Sequence, residues 1–315
     1  MGNNKIQTTS EDALALYELE RQMGVVRDRT RDVAARRHTS LYLYGPRGTS
    51  KTHIVRTTLA DIGVTFLYEA GHLTPLGYFD LLRKHADEII VIDDVSSLFA
   101  NKIGQQMLLA SLGRQDAGDS ARVITYHRRN LEERVYFSGG LIAISNKQLH
   151  ADDVMDAIKS RTKPLKWDPT QVQMAAMMRQ AVKDGWRRSG TALTPEECRQ
   201  VVDFVVCQSK RFNVPLDLRL LFDGALPDFA ASKAGEHEAD WRDHTTMAIR
   251  EQVRQLEFSP PPKTRAEQIA LEQKIAERIR AAHNTRPEQV EAWRKQTGKS
   301  ERAFDRRSAA LKIAK

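Results

Sequence analysis

Four short apolar runs constrain the fold: "LYLYG" (41–45), "VTFLYEA" (64–70), "EIIVIDDVSSLF" (88–99) and "LIAISN" (141–146). They are too short for helices and too uniformly apolar for strands wet on one face, so they read as strands buried on both sides. Helix-like stretches separate them. Residues 10–38 place Leu14, Leu16, Leu19, Met23 and Val26 among charges. "HIVRTTLADIG" closes at Gly63, and "TPLGYFDLLRKHAD" opens with Thr74 as N-cap and Pro75 in the first turn. "ARVITYHRR" and "ERVYFSGG" flank "NLE" as the arms of a hairpin. Strand and helix in alternation predict an α/β core (1–167) in which a parallel sheet is flanked by helices. After Trp167 three helices and no strand pattern predict an all-α region over 168–258. "SPPPK" (259–263) is a stiff proline linker, and 264–315 is helical and basic.

The first run leads into "GPRGTSKT" (45–52), a glycine-rich turn between a strand and a helix. Backbone N–H groups of such a turn, at a helix N-terminus, favour phosphate. The usual pattern is G-x-x-x-x-G-K-[ST], with Ser50 here in place of the second glycine. A positive φ at that position costs something for serine but leaves the N–H donors in place. Gly45, Pro46, Arg47, Gly48, Thr49, Ser50, Lys51 and Thr52 are therefore the candidate phosphate-binding residues, Lys51 reaching the β/γ-phosphates and Thr52 offering its hydroxyl to Mg²⁺. The third run ends in Asp93 and Asp94. A carboxylate at the C-terminal end of a buried strand beside the P-loop strand holds Mg²⁺, here Asp93, and Asp94 orients water. Two aspartates also end strands simply because turns favour them. That alternative does not account for both motifs in order, 42 residues apart from Lys51 to Asp93, each on a buried strand.

No run of eighteen apolar residues exists, so no membrane span is expected. The first twelve residues lack the pattern of a secretory signal. Cys198 and Cys207 lie nine residues apart on one predicted helix, on opposite faces, and cannot pair. A reduced, cytoplasmic protein is expected.

Together these motifs resemble an AAA+ ATPase module over roughly residues 10–232. "GPRGTSKT" resembles Walker A and "IIVIDDV" resembles Walker B. "LIAISN" is similar to a sensor 1 strand, which implies that Asn146 positions the lytic water. "DAIKSRT" resembles the element that lends an arginine finger to a neighbouring subunit, which implies that Arg161 acts in trans. "PLDLRLLFDGAL" is similar to a sensor 2 helix, which implies that Arg219 meets the γ-phosphate in cis. Asp94 stands where most of the family has Glu. An Asp-Asp pair is what bacterial chromosome-replication initiators carry, and "IDDVSSLFANK" resembles their stretch. The resemblance implies ATP and Mg²⁺ as cofactors and a homo-oligomer, ring or helical, with nucleotide at its interfaces. Tyr78 and Phe79 occupy the place of a pore loop, which keeps open a remodeller acting on a protein partner. Ser50 and Asp94 together keep open a nucleotide-dependent binder with little turnover.

The net charge of +8 is concentrated at one end. Residues 260–315 carry fourteen Lys and Arg against seven Asp and Glu, a local excess of +7. Such asymmetry suggests a polyanionic partner. "RPEQVEAWRKQTGKSERAFDRRSAALK" (286–312) reads as helix, turn and helix, with Gly298 in the turn and Ser300 as the next N-cap. Val290, Trp293, Phe304 and Leu311 form an apolar seam, leaving Lys299, Arg302 and Arg306 to face outward with Arg307 nearby. This resembles a DNA-binding helix-turn-helix. The small residue expected in its first helix falls on Arg294. Arg128 and Arg129 on the hairpin are a second candidate contact to a phosphate backbone.

Overall fold

In the computed structural model, the described residues are 10–94, 98, 101–113, 121–128, 131–146, 160, 162, 164–188, 190–258, 265–283, 285–297 and 299–313. The chain divides into two compact units, Met1–Arg250 and Glu251–Lys315.

The first unit opens with α1 (Ser10–Ala34), which stops short of residue 38 because Arg36 turns left-handed, with φ 60°. β1 (Ser40–Tyr44), α2 (Lys51–Asp61), β2 (Phe66–Ala70), α3 (Pro75–Lys84) and β3 (Ile89–Asp93) follow in alternation. Thr74 caps α3 as expected, its hydroxyl accepting from Gly77 N. After α4 (Lys102–Ser111) come the hairpin β4 (Arg122–Arg128) and β5 (Leu131–Phe137), then β6 (Gly140–Ser145) and the short β7 (Leu165–Lys166). The hairpin turn is tighter than "NLE", since Leu131 already pairs with Arg128.

The central sheet has the order β2–β3–β6–β1–β7, and every neighbouring pair is parallel. Alternate side chains of each strand go to opposite faces. Leu41 and Leu43, Ile89 and Val91, and Ile142 and Ile144 pack with α1 and α2. Tyr42, Ile90 and Ile92, and Leu141 and Ala143 pack with α3, α4 and the hairpin. Both faces are dry, as the uniformly apolar runs predict. The result is a parallel five-stranded sheet between helices, followed by a largely helical region. One adjacency differs from expectation. β3 does not lie beside β1, because β6 stands between them.

The region after Trp167 is not purely helical. A small antiparallel hairpin, β8 (Trp186–Arg188) and β9 (Thr191–Leu193), separates α5 (Gln171–Ala181) from α6 (Pro195–Arg211). Gly185 and Gly190 take positive φ (89° and 86°) at its start and its turn. Both flanking helices open on capping boxes, Thr170 with Gln173 and Thr194 with Glu197. The third helix begins as a π-turn segment, Leu220–Ala225, before α7 (Leu226–Lys233). Leu226 N donates five residues back to Leu221 O, and Pro227, which has no N–H, follows at once. α8 (Trp241–Phe258) closes this region, the Trp241 ring meeting Phe204 and Phe229 edge-on at 5.0 and 5.2 Å. Cys198 is buried and Cys207 exposed, both as free thiols.

The second unit holds α9 (Arg265–Ala282), α10 (Arg286–Thr297) and α11 (Glu301–Ile313). Val290, Trp293 and Phe304 meet Ala276 and Ile279 in its core, as the apolar seam predicts. The Leu311 side chain lies outside the described ones. Lys299, expected to face outward, and its neighbour Arg307 turn inward. Glu272 on α9 is buried, and its carboxylate takes Lys299 Nζ at 2.5 Å and Arg307 Nε at 2.8 Å. A buried carboxylate needs such partners. They hold it below its ordinary pKa, the Lys299 hydrogen bond contributing most. Its stabilising effect is thus fully present above the ordinary glutamate pKa and is lost as pH falls through the lowered one. Since both cations are partly exposed, Glu272→Ala is expected to cost this unit about 2 kcal/mol. Hydrogen exchange of α10 and α11 amides in the full chain should then accelerate about 30-fold, and unchanged protection would contradict the clamp.

Candidate functional site: a phosphate loop facing two carboxylates

The sheet order assembles the site. β1, β6 and β3 are neighbours in register, Tyr44 pairing with Ser145 and Ile144 with Asp93. Their C-terminal ends therefore deliver Gly45, Asn146 and Asp94 side by side. Gly45 N donates to Ser145 O at 3.2 Å and Asp94 N to Ile144 O at 3.0 Å, carrying the ladders one step past the strands. Ligands of open α/β sheets bind at such strand ends.

The phosphate loop is shaped by two left-handed residues, Gly48 (φ 63°) and Ser50 (φ 69°). Ser50 thus adopts the conformation that the motif's glycine would take freely, at a cost of about 1–2 kcal/mol for a non-glycine residue. α2 begins at Lys51 with no side-chain cap and no acid in its first turn. Its leading N–H groups are left to an anion. Gly45 is buried, and a Cβ there would lie 1.7 Å from Trp167 O, so only glycine fits. Pro46 and Arg47 are exposed. Thr49 is buried and its hydroxyl donates to Pro46 O at 2.9 Å.

Lys51 is buried under the loop. Its ammonium donates to Gly45 O at 2.9 Å, Pro46 O at 2.5 Å and Asn146 Oδ1 at 3.1 Å. Burial lowers its pKa to about 8, against the opposing pull of Asp93. Asn146 Nδ2 donates in turn to Asp94 Oδ2 at 3.1 Å. Asp94 holds a left-handed backbone, φ 51°. On the other side, Thr52 Oγ1 donates to Asp93 Oδ2 at 2.6 Å. Arg219 is exposed and lines the same cleft, together with Lys51, Thr52, Asp93, Asp94 and Asn146. The cleft encloses about 490 Å³.

Of the sequence-assigned residues, Gly48 through Thr52, Asp93, Asp94, Asn146 and Arg219 thus converge on the cleft. Arg161 and Arg129 lie outside the described residues, as does the Arg128 side chain. Arg302 and Arg306 are exposed on α11. Tyr78 and Phe79 are fully buried, Tyr78 bonding Ser111 Oγ at 2.6 Å, so neither is a pore-loop grip.

Three further residues at the site, Tyr68, Trp167 and Asp217, are given no role by the sequence motifs, although Asp217 lies within "PLDLRLLFDGAL". Tyr68 donates to Asp93 Oδ2 at 2.8 Å, and burial with that hydrogen bond raises its pKa to about 12. Trp167 Nε1 donates to Thr49 O at 2.6 Å, fixing the loop from behind. Asp217 lies against Gly48. In the sequence Tyr68 is marked only as a strand residue, and its place two positions before the end of β2 is the one available signal.

No protein-family model and no curated protein matches the sequence. Among solved structures the chain is similar to a point mutant of Thermotoga maritima RuvB, at 10% identity over 90% of this chain and 82% of that one, with a TM-score of 0.43. It is also similar to the Aeropyrum pernix Orc1 protein in complex with DNA, at 14% identity over 93% and 82%, with a TM-score of 0.47.

The Lys51 geometry sets a pH dependence. A bound polyphosphate favours the charged ammonium, so binding takes up a proton wherever Lys51 is neutral beforehand. Nucleotide affinity should be level below pH 8 and fall roughly tenfold per unit above it. Fluorescence titrations from pH 6.5 to 9.5 measure this, and a level profile throughout would contradict it.

Proposed function

We propose that the chain is an ATPase that binds Mg²⁺-ATP in this cleft, works as an oligomer and acts on DNA as a motor, loader or switch. The observation that carries the reading is the joint placement of Thr52 with Asp93 and of Lys51 with Asn146 and Asp94 in one cleft. The donor set fits the cofactor. An uncapped helix N-terminus and a buried ammonium suit phosphate, and a hydroxyl paired with a carboxylate suits Mg²⁺, which keeps most of its positions for water and phosphate oxygens. When bound, Mg²⁺-ATP supplies the transferable γ-phosphoryl group.

The chain's own residues then have distinct roles. Lys51 neutralises phosphate charge. Thr52 and Asp93 hold the cation, while Tyr68 keeps the Asp93 carboxylate oriented. Asp94 and Asn146, hydrogen-bonded to each other, orient the attacking water, Asp94 as the acceptor of its proton. Arg219 approaches from the region after Trp167, and Arg161 comes from a neighbouring subunit, so that the cleft is complete only in the oligomer. The basic second unit places the assembly on DNA through Arg302 and Arg306. Lys299 and Arg307 set the pose of α11 and supply further charge. Burial of Tyr78 and Phe79 counts against a polypeptide-threading role.

ATP turnover should rise with duplex DNA, and the rise should fade between low and moderate salt as phosphate contacts are screened. Turnover indifferent to DNA would remove DNA from the reading. A chain ending at Phe258 should keep basal turnover and lose DNA stimulation. Arg161→Ala should bind nucleotide normally but not hydrolyse it. Mixed with Lys51→Ala it should regain partial turnover, because the intact finger of one serves the intact loop of the other. No recovery on mixing would place the finger elsewhere.

A further inference from the structure

Asp217 makes a contact that a helix-opening aspartate does not need. Its Oδ1 accepts from Arg219 N at 2.7 Å, which is ordinary capping. Its carboxylate also fills the space beside the phosphate loop where a side chain at 48 would stand, since a Cβ on Gly48 would lie 1.7 Å from Asp217 Oδ1. The next residue, Leu218, donates its N–H to Gly48 O at 3.0 Å. The one after that, Arg219, lines the cleft. Three consecutive residues thus press on the loop, bond to it and present a cation over it.

Two consequences follow. Any shift of the Gly48 peptide is transmitted to the start of the Arg219 turn, because Leu218 and Asp217 both bear on that peptide. A second consequence is electrostatic: a fixed negative charge beside a phosphate loop opposes an incoming anion, by an amount set by distance and solvent exposure.

We propose that Asp217 is a positioning and specificity residue of the nucleotide site: it fixes Arg219 relative to the phosphate loop, so that the cleft prefers a nucleoside triphosphate to a diphosphate, and its own charge holds down affinity for both. The proposal rests on the Mg²⁺-ATP reading of the cleft. The two functions separate by substitution. Asp217→Asn keeps a side-chain acceptor for the cap and removes the charge, whereas Asp217→Ala removes both.

The test is equilibrium binding of fluorescent ATP and ADP analogues, with Mg²⁺, to the full chain and to Asp217→Asn, Asp217→Ala, Arg219→Ala and the Asp217→Ala/Arg219→Ala pair. Asp217→Asn should bind both nucleotides about threefold to tenfold more tightly with the ATP:ADP preference unchanged. Asp217→Ala should lose that preference by the same factor as Arg219→Ala, and the pair should lose no more than either alone. Additive losses in the pair, or a preference retained in Asp217→Ala, would overturn the positioning role. Unchanged affinities in Asp217→Asn would overturn the charge role, and because its cap is intact this result does not depend on how stable the alanine variant is. An unsubstituted chain that bound neither nucleotide would refute the Mg²⁺-ATP reading, and this proposal with it. Binding by the unsubstituted chain with unresponsive variants refutes the proposal alone.

Discussion

The site depends on the insertion of β6 between β1 and β3. Parallel strands in register end at one level, so the three turns that follow them must share one edge of the sheet. That is how Gly45, Asn146 and Asp94, widely separated in sequence, become neighbours. The middle position also explains why Asn146 faces both ways, its Oδ1 accepting from Lys51 and its Nδ2 donating to Asp94. A residue at the end of an edge strand has a neighbour on one side only.

Around that edge, the phosphate loop is held by its own carbonyls. Gly45 O and Pro46 O accept from Lys51, Gly48 O from Leu218 N and Thr49 O from Trp167 Nε1. With these carbonyls engaged by Lys51, Trp167 and Leu218, the loop is held in place at the edge of the cleft. This arrangement tolerates serine at position 50. The backbone already enters the left-handed region, and each net hydrogen bond contributes about 1 kcal/mol against the strain. The burial that lets Lys51 reach two carbonyls is also what weakens its hold on a proton.

Much of this is legible in the sequence, for identifiable reasons. Uniformly apolar runs imply strands covered on both faces, and Leu41, Ile90 and Ile142 are all fully buried or nearly so. Glycine and proline punctuation places the end of α2 within two residues and the start of α3 at Pro75, while the read end of α3 runs three residues past Lys84. The residues of the P-loop and of the Asp93–Asp94 pair are identifiable because their spacing is set by local geometry. Strand order is harder, since nothing local distinguishes β3 beside β1 from β3 one place away. The β8–β9 hairpin is hidden because its arms are only three residues long and largely exposed, although Gly190 marks its turn. Tyr68, Trp167 and Asp217 are hidden for a different reason. Each reaches the site through tertiary contact, and although Asp217 lies within "PLDLRLLFDGAL", no spacing marks it or the other two as site residues. In the second unit the turn chemistry is readable, but the inward pull of Glu272 on Lys299 and Arg307 is not, because a buried acid on one helix carries no mark of which cations will answer it.

Whether Lys51, Thr52 and Asp93 form one nucleotide site is the central question. Calorimetric titration of ATP into the purified chain, with and without Mg²⁺, and into its Lys51→Ala variant measures this directly. Binding by the parent chain that tightens with Mg²⁺ and falls at least about a hundredfold in Lys51→Ala is the predicted result, the order expected when a buried charge–phosphate contact is removed. Equal affinity in parent and variant would contradict it.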